Sequence, residues 1–230
     1  MNRVVVAIDG PGGAGKSTVS RTLAHALGYQ YVDTGAMYRV IGVLASEQGI
    51  AIDDHEALAA LCDGTLIEFD EVDGRTRVSA RGRDFTEAIR TAQAAQDASR
   101  YSTVPAVRQR MVAQQRALGA RGGVVMEGRD IGTVVFPDAL VKVFLDASAR
   151  ERAQRRATDL YGSGATDEQI TAIEREIAER DARDRGRAHS PLRPAEDAVI
   201  LDTTRRPIAE VVDTLRALVS AKARGLARHS

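Results

Sequence analysis

Val4-Val5-Val6-Ala7-Ile8-Asp9-Gly10-Pro11-Gly12-Gly13-Ala14-Gly15-Lys16-Ser17-Thr18 is the stretch on which the reading of this chain turns. An apolar, β-branched run feeds a glycine-rich segment, and the residues after it, Val19 to Leu27, are apolar and helix-forming. Gly10 to Ser17 satisfies the pattern G-x-x-x-x-G-K-[ST] in the strand–loop–helix setting that a phosphate loop requires. Glycines without Cβ let the backbone curl until several N–H groups converge on one anion. The following helix adds its unpaired N-terminal N–H groups and the positive end of its dipole. Lys16 supplies a mobile cation for the β and γ phosphates, and the Ser17 hydroxyl suits Mg²⁺. Glycine-rich turns before helices are common, but they have no need of Lys-Ser at this spacing. A nucleoside triphosphate is therefore expected on Gly10, Pro11, Gly12, Gly13, Ala14, Gly15, Lys16, Ser17 and Thr18, with Lys16 also catalytic.

Outward from that loop, short continuous apolar runs alternate with helical patterns, as in a parallel sheet covered on both faces. Strands are expected at Val4–Ile8, Tyr29–Val32, Gly123–Met126, Val141–Leu145 and Val199–Leu201. Helices are expected at Lys16–Leu27, Gly35–Gln48, Val104–Arg121, Ala149–Tyr161, Asp167–Asp184 and Pro207–Ala221. The fold class is α/β, a three-layer α/β/α core around a parallel sheet. The stretch from Thr65 to Thr86 breaks the rhythm: two β-rich runs flank Asp73-Gly74, the signature of an antiparallel hairpin. A charged excursion from about Arg150 to Arg187 holds two helices joined at Gly162-Ser163-Gly164, a hinge candidate. The basic residues from Arg224 to Ser230 read as a frayed tail.

Composition narrows the classes. Lys+Arg and Asp+Glu both total 32 over 230 residues, so no global field points to nucleic acid or a membrane. Cys62 is the only cysteine, which excludes an internal disulfide and suits a reducing compartment. It lies in an apolar helical stretch, where a packed thiol is the ordinary reading. With no basic-then-apolar leader and no stretch approaching a span, a cytoplasmic protein is expected.

A phosphate loop alone does not separate a kinase from a hydrolase; a second anion site does. Asp33-Thr34-Gly35-Ala36-Met37-Tyr38-Arg39 follows the second strand, with Asp33 at its carboxyl end, suited to hold waters of Mg²⁺. Thr34 caps the next helix or bonds an acceptor phosphate, and Arg39 falls about one turn later. Glu127-Gly128-Arg129-Asp130 likewise ends a core strand. Arg152, Arg155 and Arg156 share one helix face, as do Arg180, Asp184 and Arg187. Taken singly, each group is explained by capping, a turn or a solvated ion pair. Together they suit a mobile flap that neutralises a migrating phosphoryl group and keeps water out. The four histidines, His25, His55, His189 and His229, show no ligand spacing.

These residues resemble the bacterial cytidylate kinases, a family of nucleoside monophosphate kinases. The resemblance runs from Ile8-Asp9-Gly10-Pro11 to Leu201-Asp202. It is carried by Asp33 to Arg39, by Gly128-Arg129-Asp130-Ile131-Gly132-Thr133-Val134-Val135-Phe136-Pro137, and by Arg180-Asp181-Ala182-Arg183-Asp184-Arg185. One position departs: Glu127 stands where family members often carry aspartate, with the charge preserved. The resemblance implies a single kinase domain over 1–230. Its core is 1–33, 122–148 and 195–230, its monophosphate-binding lobe with a β insert is about 34–121, and its helical lid is about 149–187. It places acceptor binding on Thr34, Arg39, Ser99, Arg108, Arg129, Asp130, Arg180, Asp184 and Arg187. Ser99 and Arg108 would otherwise pass as ordinary surface residues of helices.

The expectation is ATP-dependent phosphorylation of CMP and dCMP, with Mg²⁺ on Ser17 and, through water, on Asp33. Arg39, Arg129 and Arg187 are assigned to the acceptor phosphate, and Arg152, Arg156 and Arg180 to the transition state. Asp130 and Asp184 suit the exocyclic amine of cytosine, a donor that uracil lacks. The expected partners are the nucleotides alone, on a monomer. The alternatives are a phosphate-loop kinase for another monophosphate or small metabolite, or a nucleotide-hydrolysing switch protein.

Overall fold

A computed structural model describes residues 3–187 and 190–227, so His189 and His229 lie outside the described residues. The chain divides into two compact units, Met1–Gln30 with Gly122–Ser230, and Tyr31–Arg121.

The first unit is built around β1 (Val5–Asp9), whose last four residues are buried. It continues through the phosphate loop into α1 (Lys16–Leu27), which ends on Gly28 in the left-handed region, its N–H bonded to the carbonyls of Ala24 and His25. β2 (Gln30–Asp33) leads into the second unit. There, α2 (Thr34–Glu47) is capped by Asp33, whose carboxylate accepts from Ala36 N–H at 3.1 Å. α3 (His55–Asp63) buries Leu58, Leu61 and Cys62. A small antiparallel sheet follows, of β3 (Ile67–Val72), β4 (Arg75–Ala80) and β5 (Arg83–Asp84). Val72 pairs with Arg75 across Asp73-Gly74, both at positive φ, as a two-residue hairpin turn requires. The third strand was not expected, because its turn is Arg81-Gly82, and arginine is not the Asn or Asp that marks such turns. α4 (Ala92–Tyr101) was also unexpected. Its buried residues, Ala94, Asp97, Ala98 and Tyr101, follow helical spacing, but Tyr101 is the one large apolar side chain among them, so the buried stripe is weakly apolar. It lies against α2 where Gly42 leaves room: a Cβ there would sit 2.8 Å from the Cβ of Asp97. α5 (Pro105–Gly119) begins with proline in its first turn and buries Val107 and Met111.

The chain re-enters the first unit at β6 (Val124–Gly128), buried at every residue, followed by a tight π-type turn at Ile131–Val135. β7 (Val141–Asp146), β8 (Val199–Asp202) and α8 (Ile208–Ala227) complete the core. The five-stranded sheet has the order β2-β6-β1-β7-β8. β1 is parallel to β6 (Val5 opposite Val124) and to β7 (Val6 opposite Val141), and β7 is parallel to β8. The strands run one or two residues further than their apolar runs. Asp9 keeps ladder partners in Gly128 and Phe144, so the acidic ends belong to the sheet. α8 buries Val211, Val212, Leu215 and Val219, and it continues to Ala227, into the stretch expected as a tail. No helix among the described residues is long and apolar enough to cross a membrane.

Between β7 and β8 stand α6 (Ala149–Tyr161) and α7 (Asp167–Arg185), joined by a single turn at Gly162–Gly164. Ser148 caps α6, and Thr166 with Gln169 forms a reciprocal capping box on α7. Ala153, Ala157 and Ile173 make a small apolar seam between the helices. A buried ion pair closes it: Arg152 Nη2 lies 2.7 Å from Asp181 Oδ2, each side chain 5% exposed. Removing one partner of a buried pair strands the other charge and costs about 3–5 kcal/mol. Asp181→Ala is therefore expected to lower unfolding stability by about that amount in urea denaturation. A loss under about 0.5 kcal/mol, the range of ordinary surface substitutions, would show that the pair does not hold the helices.

Candidate active site

The phosphate loop is shaped by contacts behind it. Gly10 has φ +147, and a Cβ on it would sit 2.0 Å from the Leu145 carbonyl oxygen. Only glycine lets β1 leave the sheet this close to β7. The loop carbonyls are committed: Pro11 O accepts from Lys16 Nζ at 2.7 Å, Gly12 O from Arg152 Nη1 at 3.2 Å, and Ala14 O from Thr203 Oγ1 at 3.1 Å. A trans peptide sets C=O and N–H antiparallel, so the amides of Gly13 and Gly15 point away from Arg152 and Thr203. Gly15 caps α1 in the left-handed region with no side-chain bond to the first turn. Those first-turn amides, with the buried Lys16 beside them, form an anion site.

Asp9 stands directly before the loop and turns its carboxylate the other way. Oδ1 accepts from Ile131 N–H and Oδ2 from Gly132 N–H, both at 2.8 Å. Burial pushes this carboxyl up to about 6, against the two backbone hydrogen bonds; Asp130 adds to the rise and Lys16 opposes it. Arg129 and Asp130 occupy the bend that these bonds fasten, and Asp130 and Glu127 are both buried. Arg129 lies alongside the loop, with Nη2 3.6 Å from where a Cβ of Gly12 would be.

On α7, Asp184 joins two of the expected acceptor arginines. Its Oδ2 is 3.2 Å from Arg129 Nε and its Oδ1 is 2.7 Å from Arg187 Nη2. Arg180, one turn earlier, is half-buried on the same helix. Arg129, Asp184 and Arg187 are thus in contact, as the spacing implied for two of them. Arg152 departs from its expected role in a mobile flap. Its three nitrogens bond Ala147 O, Gly12 O and Asp181, so it clamps the loop to the helical pair and is not a free lid arginine. Arg155 is similarly occupied, with Glu151, Thr203 Oγ1 and Thr203 O. Of the three arginines expected on one face, only Arg156 is exposed.

In the second unit, the Asp33 carboxylate that caps α2 also meets Arg39 Nη1 at 3.3 Å. Thr34 is buried in the first turn of α2. Ser99 on α4 and Arg108 on α5 are half-buried, as are neighbours such as Ala95 and Arg110.

Sequence reasoning missed Asp9, Asp181 and Thr203. Asp9 carried a usable signal, an acidic residue at the carboxyl end of an otherwise apolar strand. Asp181 lies in the string Arg180 to Arg185 with no role of its own assigned from sequence, and Thr203 carried no signal, since the partners of both are distant in the chain. A divalent ion suits Ser17, exposed at the start of α1. Among the described residues no three His, Cys, Asp or Glu side chains gather as a metal cage. An ion at Ser17 would thus take most of its ligands from phosphate and water, as Mg²⁺ commonly does.

A family model described as cytidylate kinase matches residues 6–221. A curated cytidylate kinase of Syntrophotalea carbinolica is 49% identical, covering 96% of this chain and 94% of that protein. One from Geobacter sulfurreducens is 47% identical at the same coverage of 96% and 94%. Among solved structures, an uncharacterized protein from Eubacterium ventriosum aligns over 95% of this chain and 99% of that one, with a TM-score of 0.51 and 10% identity, a likeness of fold alone. The anion site behind Gly10, the Arg129–Asp184–Arg187 contact and the near-complete match agree: the chain belongs to the cytidylate kinase family.

Proposed function

We propose that this protein transfers the γ-phosphoryl group of ATP to CMP or dCMP, giving ADP and CDP or dCDP, with Mg²⁺. The observation that carries the reading is the phosphate loop itself, with Lys16 at an α1 N-terminus capped by no side chain and Arg129 alongside Gly12. A phosphate oxygen of the acceptor attacks the γ-phosphorus in line. The bond from that phosphorus to the β,γ-bridging oxygen breaks, and ADP leaves with the electron pair. The attacking oxygen is already ionised, so no general base is needed, and the work left to the protein is positioning and charge neutralisation.

The loop amides and Lys16 hold the donor phosphates, and Ser17 would hold Mg²⁺, with Asp33 reaching it through water. Mg²⁺, when bound, would neutralise negative charge as it develops on the donor phosphates. Arg129, Arg156 and Arg180 serve the transferring group, and Arg39, Arg129 and Arg187 the acceptor phosphate. Thr34, Ser99, Arg108, Asp130 and Asp184 complete the acceptor set by the family resemblance. Asp184 holds Arg129 and Arg187 with both oxygens, which keeps two cations together before any phosphate arrives. Carboxylates facing cytosine accept from its amine; facing uracil they meet O4, an acceptor, and lose that bond. We further propose that the enzyme works as a monomer and in the cytoplasm; the single, buried Cys62 supports the second, since it suits a reducing compartment.

Two measurements test this. ADP release with ATP and Mg²⁺ is expected to run on the order of ten to a hundred times faster with CMP or dCMP than with UMP, which lacks the amine, or with AMP or GMP, whose purines are larger than a pyrimidine site. Equal slow release with every acceptor, or with none, would overturn the kinase reading. Lys16→Ala is expected to reduce kcat by about 10²–10³, the scale of losing one charged contact to the transition state, without changing the far-ultraviolet circular dichroism. Turnover within about threefold of the parent enzyme would remove Lys16 from the donor site.

A further inference from the structure

Asp9 is assigned no contact with either nucleotide, yet it is among the most constrained side chains near the loop. It is 4% exposed, lies at the end of the central strand, and reaches across 122 and 123 residues of chain to two successive amides. A buried carboxylate is unfavourable unless its bonds need it. Here they do, because two converging N–H groups take both oxygens, and an uncharged amide in the same place offers only one. The bend so fastened contains Arg129 and Asp130, and Asp9 is the only residue of β1 whose side chain carries a polar atom to hold it.

We infer that Asp9 is a positioning residue for the acceptor nucleotide: its ionised carboxylate holds the Ile131 and Gly132 amides and thereby sets Arg129 and Asp130, while donor affinity stays with the phosphate loop. The inference rests on the reading that Arg129 and Asp130 contact the acceptor. The charged groups around Asp9 are identifiable on each packed element. Lys16 of α1 favours its ionised form, and Asp130 of the bend opposes it. Glu127 of β6 is opposite Ile8, and Arg129 is engaged by Asp184. Lys142 of β7 lays its stem along Gly132 and gives its ammonium to Asp197 at 2.9 Å. Burial outweighs these and brings the carboxyl to about 6, so protonation falls within a working range.

The sign is opposite for folding and for function. A carboxyl raised in the folded state from its ordinary value of 3.8 to about 6 binds its proton more tightly there than in the unfolded chain. Lowering the pH through that interval therefore relieves folding of a buried charge. The same protonation turns one oxygen into a hydroxyl that faces an N–H donor, and one of the two bonds is lost. Acceptor binding should weaken as pH falls through about 6 while this group's contribution to stability improves, a divergence that a purely structural role does not produce.

The test is Asp9→Asn against the parent enzyme, with KM for CMP and for ATP measured separately from pH 8 to pH 5. At pH 8 the KM for CMP is expected to rise about tenfold, the scale of one lost hydrogen bond to a charged group, with the KM for ATP within about twofold; kcat falls as well, because Arg129 also serves the transferring group. The phosphate of CMP titrates in the same range, and it cancels in the ratio of variant to parent. That ratio should fall towards one by pH 5, where the parent carboxyl is also uncharged. A flat ratio, or an equal rise for ATP, would overturn the inference. A second measurement needs no variant: the Ile131 and Gly132 amide resonances of the parent should titrate with the Asp9 carboxyl, and saturating CMP should lower the midpoint. An unmoved midpoint in protein that binds CMP also overturns it. Amides that titrate in a parent enzyme with no CMP-dependent turnover and no CMP binding would instead sink the functional reading, and the acceptor role with it.

Discussion

A phosphate loop works only if its amides are aimed before the anion arrives, and here that aim depends on how closely β1 and β7 approach. Gly10 leaves the sheet where any Cβ would sit 2.0 Å from the Leu145 carbonyl oxygen, inside van der Waals contact. The strand therefore ends, the loop turns and α1 begins within a space set by β7, and Lys16, Arg152 and Thr203 then hold the loop's carbonyls. The buried ladder on both sides of β1 makes that geometry rigid, since Val6, Ala7 and Ile8 are fully buried. An anion site made of backbone costs little reorganisation when the ligand binds, which is the condition for electrostatic stabilisation of a transferring phosphoryl group.

Around the loop, the same few charged residues serve both architecture and chemistry. Arg152 ties Gly12 to Asp181, so the loop and the helices α6 and α7 share one buried ion pair. One turn further along α7, Asp184 gathers Arg129 and Arg187, and Arg129 in turn lies along Gly12. Two short routes thus run from the donor loop to α7, one through Arg152 and one through Arg129. Isolated exposed ion pairs contribute roughly 0–1 kcal/mol, but these are largely sequestered from water, where geometry and pairing decide the sign. Charge buried to this extent holds positions, and those positions belong to the groups proposed to handle phosphate.

The second unit relies on other means. α4 approaches α2 over Gly42, and small residues take the place of an apolar stripe. The hairpin turns are set by positive φ at Asp73, Gly74, Arg81 and Gly82. Its expected acceptor residues, Thr34, Arg39, Ser99 and Arg108, stand on three helices, and each is anchored by its own helix: Thr34 and Arg39 on α2 with Asp33, Ser99 on α4, Arg108 on α5.

What the sequence alone determined was whatever depends on neighbours in the chain. The strand–loop–helix around Gly10 to Thr18, the Asp73-Gly74 hairpin, the capped start of α2 and the charged helical pair all follow from local spacing and conformational preference. The motifs at Asp33–Arg39, Arg129-Asp130 and Arg180–Asp184 were legible as those of the family they resemble. α4 and β5 were not, because the periodic stripe of α4 is made of alanine and aspartate with one tyrosine and so is weakly apolar, and Arg81-Gly82 is an uncommon turn. Only the tertiary structure decided which arginines were already taken. Arg152, Arg155 and Arg156 look equivalent on a helical wheel, yet one is a buried clamp, one bonds Thr203 and one is exposed. It also decided that Asp9 turns from the loop to Ile131 and Gly132, raising its carboxyl to about 6. The physical reason is the same in both cases. Desolvation and pairing depend on atoms brought together from distant parts of the chain, and no local pattern encodes them.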